Sequence, residues 1–388
     1  MDLTVPAGGA ASGRRPALTG IRTVAAAAVC LTHAAFWTGH YTDDYVGRLA
    51  ARFEVGVAIF FVLSGYLLFS PWVRALRDGP RPFPPLPYPP LRRYAWHRAR
   101  RILPAYWLTV LAVYAIFLVR TDASDLGHGW EALVRNLTFT QVYGFGYLHT
   151  GLTQMWSMSA EVAYYVALPV VAWPLARIVC RDRWRPDLLL AVLAGLAVCS
   201  PVWTLVVHGL EGVDPTARLW PPAFASWFVA GMLLAVVAAL VTRIPAGLCV
   251  TSAAAAFFAS GGAFAGEPTI VPDDGGAAVV KHLLYAVVAL GVVAPLTVGD
   301  GRWSRLCGSR PMVWFGEISY EFFLVHVMVM ELVMDVVGFR VFTGSTVVVF
   351  AVTSLVSVPV AWLVHRITAP LWRRGDADRS PAAGRIAP

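Results

Sequence analysis

The sequence predicts an all-α, polytopic integral membrane bundle of about ten transmembrane helices, and three observations carry that prediction. Of its 388 residues, 57% are hydrophobic and only 14% are charged, against roughly 25% charged in a soluble domain. A soluble chain of this length divides into about two domains, each needing a charged surface, and too little charge is present to cover them. The mean hydropathy of +0.62 agrees. Finally, apolar stretches approaching the ~20 residues that cross a bilayer recur along the whole chain. Lipid therefore replaces water as the outer solvent. Disorder, a collagen-like fibre and a disulfide scaffold are excluded. The net charge of +8 comes from basic residues that are all Arg except Lys281, a skew that suggests a GC-rich bacterial genome.

Ten segments qualify: 18–37, 53–73, 102–119, 156–179, 188–208, 222–241, 246–265, 282–300, 314–337 and 346–366. The first contains Arg22 and His33 and has no convincing small-residue cleavage site, which argues against a removed signal peptide. The second carries Gly56 and Gly65, which permit close helix approach. The third is short and follows a run of Arg. Segments 222–241 and 346–366 are the most apolar, with no acid or base before Arg366, and 246–265 is rich in Ala and Gly. Residues 1–17 and 371–388 read as mobile tails around a membrane domain spanning 18–370. Segment 79–91 holds seven prolines in thirteen residues and predicts a stiff, extended linker. None of the five cysteines falls in an outside loop, so no disulfide is expected, and no ligand spacing points to a metal. No internal repeat is present.

Orientation follows from the loops. With the N-terminus inside, 23 basic residues fall on the inner side and seven outside. This predicts an even number of spans, both termini in the cytoplasm and insertion in the cell membrane. The positive charge is thus a topology signal, and no nucleic-acid partner is implied.

Ionisable groups inside a bilayer are costly and mark function or interior pairing. Arg22 and His33 are eleven residues apart, about three turns, so they share a helix face roughly 16.5 Å apart along the axis. They read as an anion clamp in the inner half and a proton-transfer group further out, or as a snorkelling Arg and a hydrogen-bonded core His. In GVAIFFVLSGYLLF, Phe61 and Ser64 read as pocket or packing residues. The run Arg92, Arg93, His97, Arg98, Arg100, Arg101 stands at the mouth of span three. Guanidinium forks there suit phosphate or lipid headgroups. In WSMSAEVAYY, Glu161 reads as one turn in from the outer end of span four, level with His33, where it would orient the imidazole. Trp156 and Tyr164 suit interface anchors. In span nine, Ser319 and His326 lie nearly on one face, beside Tyr320, with Glu317 and Glu321 on another and Glu331 and Asp335 towards the outside. The long outside loop 120–155 carries Trp130, Tyr143, Phe145, Tyr147 and His149, suited to stacking on a sugar or to lying at the interface.

These segments, in this order, resemble the membrane-bound acyltransferase family 3. Arg22 and His33 match its Arg-x10-His motif. Phe60, Phe61, Ser64 and Gly65 match FFxxSG, and Arg98 and Arg101 match RxxR. Trp156, Ser157 and Glu161 match a W-S-x-x-x-E segment, and Gly316, Ile318, Ser319, Tyr320 and His326 match the late G-x-I-S-Y…H segment. The resemblance covers roughly 18–370. It implies an enzyme that moves an acyl group, most simply acetyl, from a cytoplasmic acyl-CoA co-substrate to a hydroxyl of a carbohydrate, lipid or macrolide-type antibiotic. No permanently bound cofactor is implied. Two departures stand out. Val162 follows Glu161 where many members carry a second acid, and no esterase-like domain follows span ten in this sequence. Under this reading Arg98, Arg101 and Arg93 bind acyl-CoA, and Arg22 polarises the thioester carbonyl or holds the pantetheine end. His33 acts as general base, or alternatively carries the acyl group itself. The rival class is a transporter or flippase of lipid-linked or acylated molecules, in which the buried charges serve passage.

Overall fold

The computed structural model describes residues 15–79, 90–120, 126–269, 274–299 and 301–377. Most of the proline-rich segment 79–91 and most of both predicted tails lie outside these residues. Every regular element among them is helical. In chain order they are α1 (Pro16–Trp37), α2 (Tyr45–Ala51), α3 (Val55–Asp78), α4 (Leu91–Phe117), α5 (Trp130–Leu137), α6 (Trp156–Pro174) and α7 (Pro186–Leu196). Then follow α8 (Cys199–Gly209), α9 (Ala225–Leu240), α10 (Ala246–Ser260), α11 (Gly275–Val298), α12 (Arg302–Cys307), α13 (Arg310–Val337) and α14 (Thr346–Ala377).

Eight helices or continuous helical stretches among the described residues are long and apolar enough to cross a membrane. Two of the ten expected spans fall outside that set. Segment 246–265 forms only the 15-residue α10, because Gly261 and Gly262 end the helix early. Segment 314–337 lies in the 28-residue α13, which is long enough but carries Arg310, Glu317, Glu321, Glu331 and Asp335. Pro16 pre-sets the first turn of α1, and α14 runs on to Ala377.

The packing has two centres. α1 lies between α13 and α3, and α13 also packs on α14. α3 packs along α9, and α10 along α11. Glycines set the closest seams. A Cβ on Gly65 would collide with the carbonyl oxygen of Phe228, and one on Gly231 with that of Val62. Without a hydrophobic drive between helices in lipid, such backbone proximity is a main source of association. Gly20 and Gly316 form the matching seam between α1 and α13.

Interior charges find partners. Arg52, which is 1% exposed, donates to the carbonyls of Ser260 (2.8 Å) and Ala265 (3.0 Å) and to that of Gly266, tying the start of α3 to the end of α10. On α13, Glu321 meets His365 of α14 at 2.9 Å. Glu331 and Asp335 meet Arg120, at 2.8 and 3.0 Å. Glu317 and Asp335 are exposed, whereas Glu321 and Glu331 are buried. The helix is buried on most sides, as its load of ionisable groups requires.

The loop before α6 does not form one aromatic platform. Trp130 and Phe145 point outward, and Tyr147 lies under the Arg135 guanidinium, 3.9 Å from ring to Cζ. His149 is fully buried and stacks on His128 at 4.4 Å. Its Nδ1 accepts from the Gly151 amide at 3.1 Å. Burial, with the charge of His128 second, pushes the His149 pKa down to about 3.

Two outcomes follow. Gly65→Ala should destabilise the protein by about 1–3 kcal/mol, the usual cost of overpacking. Thermal unfolding in detergent checks this, and an unchanged midpoint would count against the α3–α9 seam. For His149 the folded state refuses a proton down to about pH 3, whereas the unfolded chain takes one near pH 6.5. Stability is therefore complete above pH 6.5 and falls as pH drops towards 3, by up to ~1.4 kcal/mol per pH unit. A His149→Gln variant should lose less stability than wild type between pH 7 and pH 5, and an equal loss would refute the assignment.

Candidate active site

Five helices converge on one cavity of about 260 Å³. α1 contributes Arg22, α3 contributes Phe61 and Ser64, and α4 contributes Arg98 and Arg101. α6 contributes Glu161 and Tyr165, and α13 contributes Ser319, Tyr320 and Phe323. The placements follow from helix periodicity. Arg98 and Arg101 are three apart, and Glu161 and Tyr165 four apart, so each pair shares a face. Ser64 donates to Glu161 Oε1 at 2.9 Å, and the Tyr165 hydroxyl donates to the same oxygen. The Tyr320 hydroxyl donates to the Ile102 carbonyl at 3.1 Å, fixing α13 against α4. Three guanidinium groups thus face a single carboxylate, and the cavity has an excess of positive charge. In a low-dielectric surround that excess attracts an anionic ligand strongly.

Beside this cavity stands a pair of imidazoles. His33 Nδ1 lies 2.9 Å from His326 Nε2, and His326 Nδ1 lies 2.8 Å from the carbonyl oxygen of Phe323. A carbonyl only accepts, so His326 Nδ1 carries the proton. In neutral His326 the Nε2 is then an acceptor, and His33 Nδ1 must donate to it. The remaining lone pair of the pair is therefore on His33 Nε2. His326 is fully buried and His33 is partly exposed, so that lone pair belongs to the more accessible ring. Neither His lines the cavity. Phe323 connects the two, lining the cavity and packing on the His326 ring with centroids 5.8 Å apart.

Several expected positions move. Glu161 does not meet His33 and belongs instead to the Ser64–Tyr165 cluster in the Arg22 cavity. A buried turn, Thr150–Met155, runs directly into α6, so the apolar stretch is Thr150–Val179 and Glu161 sits well inside it. His326 is not a cavity residue; it is the partner of His33. Trp156 lines a different, smaller cavity and packs on Phe224, with centroids 4.7 Å apart. Tyr164 stacks on Phe228 at 4.1 Å rather than anchoring at an interface. Arg93 is exposed, 3.4 Å from His97, and lies outside the cavity lining, two turns before Arg101. Tyr165 and Phe323 are cavity residues that sequence reading overlooked. The i, i+4 spacing of Tyr165 from Glu161 was the available signal for the first.

The architecture is that of a multi-pass membrane protein with a polar, cation-rich chamber enclosed by helices. A family model described as "Acyltransferase domain" matches residues 15–366. The chain belongs to this family, the membrane-bound acyltransferase family 3, and is an enzyme that transfers acyl groups. It is 28% identical over 340 residues to the acyltransferase MdmB of Streptomyces mycarofaciens, covering 82% of this chain and 79% of that one. It is 27% identical over 364 residues to the exopolysaccharide production protein ExoZ of Rhizobium meliloti, covering 92% and 99%. The peptidoglycan O-acetyltransferase OatA of Listeria monocytogenes is 27% identical over 220 residues, 52% of this chain but 30% of that longer protein. No solved structure matches.

The imidazole pair makes a spectroscopic prediction. In ¹⁵N-histidine-labelled protein, His33 should carry its proton on Nδ1. In His326→Phe, which fills the space but removes the acceptor, the Nε2–H tautomer should gain population. An Nε2–H tautomer at His33 in the wild-type protein would refute the hydrogen-bond chain.

Proposed function

We propose that this protein is an acyl-CoA-dependent O-acyltransferase of the cell membrane, moving an acetyl group to a hydroxyl of a carbohydrate or glycosylated natural product. The observation that carries the mechanism is the chain from the Phe323 carbonyl through His326 to His33, which leaves His33 Nε2 as a base. The reading places both termini and the Arg-lined end of the cavity in the cytoplasm, where 23 of the basic residues would then lie.

CoA is polyanionic, and Arg98 and Arg101 would hold its phosphates by charge-assisted hydrogen bonds. Arg22 would face the thioester carbonyl and stabilise the oxyanion as it forms. Glu161, held by Ser64 and Tyr165, would keep the guanidinium groups in register. The acceptor hydroxyl oxygen attacks the thioester carbonyl carbon while His33 Nε2 takes its proton. The C–S bond then breaks, the ester forms, and the CoA thiolate leaves with the proton from His33. His326 holds His33 in the tautomer that can do this, much as a carboxylate does for the histidine of a hydrolase triad. The acetyl group and the carbohydrate class draw support from the similarity to OatA, a peptidoglycan O-acetyltransferase.

Acceptor-dependent release of free CoA from acetyl-CoA tests the proposal. His33→Ala should lower the rate at least about 100-fold, the scale of general-base catalysis. Near wild-type turnover would remove His33 from the mechanism. Separately, Arg98→Ala with Arg101→Ala should weaken acetyl-CoA binding, and wild-type affinity should fall as salt rises. Binding indifferent to both would rule out a phosphate site there.

A further inference from the structure

A second cavity, of about 140 Å³, lies next to the first, and Val57 lines both. Its walls come from α6, α8, α9 and α11, and it has three chemical features. The first is aromatic surface: Trp156, Trp203, Trp227 and Tyr285 present rings to it. Two of these rings are held in place. Trp203 Nε1 donates to the Ala217 carbonyl at 3.0 Å, and Trp227 stacks on His282 at 4.3 Å with the rings 6° from parallel.

The second feature is an uncompensated cation. Glu54 is the lining carboxylate, and it is already matched. Lys281 Nζ lies 2.9 Å from its Oε1, and the Tyr285 hydroxyl donates to the same atom at 3.0 Å. That leaves Arg218 with no counter-charge in the lining. Its Nε is buried and has no hydrogen-bond partner among the described residues. A buried donor without a partner costs on the order of 1–3 kcal/mol, and a ligand that accepts from it recovers that cost.

The third is a poised acceptor. His208 Nδ1 lies 2.7 Å from the Thr204 carbonyl and must donate to it. In the neutral ring Nε2 then holds a lone pair, and this atom too is buried without a partner among the described residues. Nε2 is suited to receive a hydroxyl proton.

Aromatic faces, one guanidinium donor and one imidazole acceptor make up a recognition set for a hydroxylated ring that carries a negative group. The volume is well under the roughly 300–1,000 Å³ of sites that enclose drug-sized ligands, so one sugar ring fits where a macrocycle would not. We propose that this second cavity binds an anionic saccharide ring and that this ring is part of the acyl acceptor. Its role as acceptor site rests on the acyl-transfer reading above; its ligand chemistry does not. The donor and acceptor sites then adjoin at Val57, which lines both cavities.

The test uses the full-length protein in lipid nanodiscs, with methyl β-D-glucuronide and methyl β-D-glucoside as probes and saturation-transfer NMR as readout. The glucuronide should bind about tenfold more tightly than the uncharged glucoside, the scale of one charge-assisted hydrogen bond. Arg218→Gln should erase that preference. Arg218→Lys, which restores the charge, should recover part of it and so separates loss of recognition from loss of fold. Absence of binding by the wild type, equal binding of both probes, or a preference that survives Arg218→Gln would each overturn the proposal. CoA release by the same wild-type preparation keeps the two readings apart. Glucuronide binding with no CoA release upholds the saccharide site and counts against acyl transfer alone. CoA release with no saccharide binding overturns the site and leaves acyl transfer standing.

Discussion

The close seam between α1 and α13 is the contact on which the rest of the site depends. Gly20 and Gly316 bring the two backbones together, and Thr23 Oγ1 donates to the Met312 carbonyl at 2.7 Å. From that seam both helices run in the same direction, so that His33 arrives opposite His326. Arg22 lies on α1 close to the seam, and Ser319, Tyr320 and Phe323 follow it on α13. A larger side chain at Gly316 would strike the carbonyl of Thr19 and push the helices apart. The imidazole pair spans only 2.9 Å, and a separation greater by 1 Å leaves no hydrogen bond. A packing feature at one end of the helix pair therefore sets the chemistry at the other.

The second constraint is lipid itself. Within a bilayer no water satisfies stray charges, so each must find a partner in the protein. Most do: Arg52 with three carbonyls, Glu331 and Asp335 with Arg120, Glu321 with His365, Glu54 with Lys281. These pairs are structural, each linking helices distant in sequence. Against that background the imbalance in the larger cavity is informative. Arg22, Arg98 and Arg101 share a chamber with one carboxylate. An excess of positive charge in a low-dielectric interior favours an anionic ligand.

Much of this was legible in the sequence, and the parts that were not have physical reasons. Span positions follow from composition, because the length of an apolar run is a local property. The shared face of Arg22 and His33 follows from an eleven-residue spacing, whereas of Ser319 and His326, read onto one face, only Ser319 lines the cavity. Partners across helices are different. His33 and His326 are 293 positions apart, and nothing local specifies that they meet. The depth of Glu161 was misjudged because residues 150–155 read as loop, whereas their irregular turn is buried and extends the span. Of the two readings of the aromatic loop, stacking on a ligand finds no shared platform. Trp130 and Phe145 face outward, while the aromatic chamber draws on Trp156, Trp203 and Trp227 from three helices.

The imidazole pair also explains why a bilayer enzyme would depart from the carboxylate-assisted histidine of soluble hydrolases. A buried carboxylate beside His33 would need its own compensation in lipid, at a cost of several kcal/mol. His326 orients the ring without adding a charge, since its far nitrogen already donates to the Phe323 carbonyl. With both rings neutral, the pair adds no charge to the interior. Under the proposed mechanism a charge appears only when His33 takes the acceptor's proton, and it disappears when the thiolate leaves with that proton. The cation-rich cavity adjoins the pair at Phe323, so the positive charge is concentrated on Arg22, Arg98 and Arg101 and not on the imidazoles. Under the proposed mechanism the acceptor hydroxyl must reach both the base and the thioester, and Phe323, which lines the cavity and packs on His326, marks where the two adjoin.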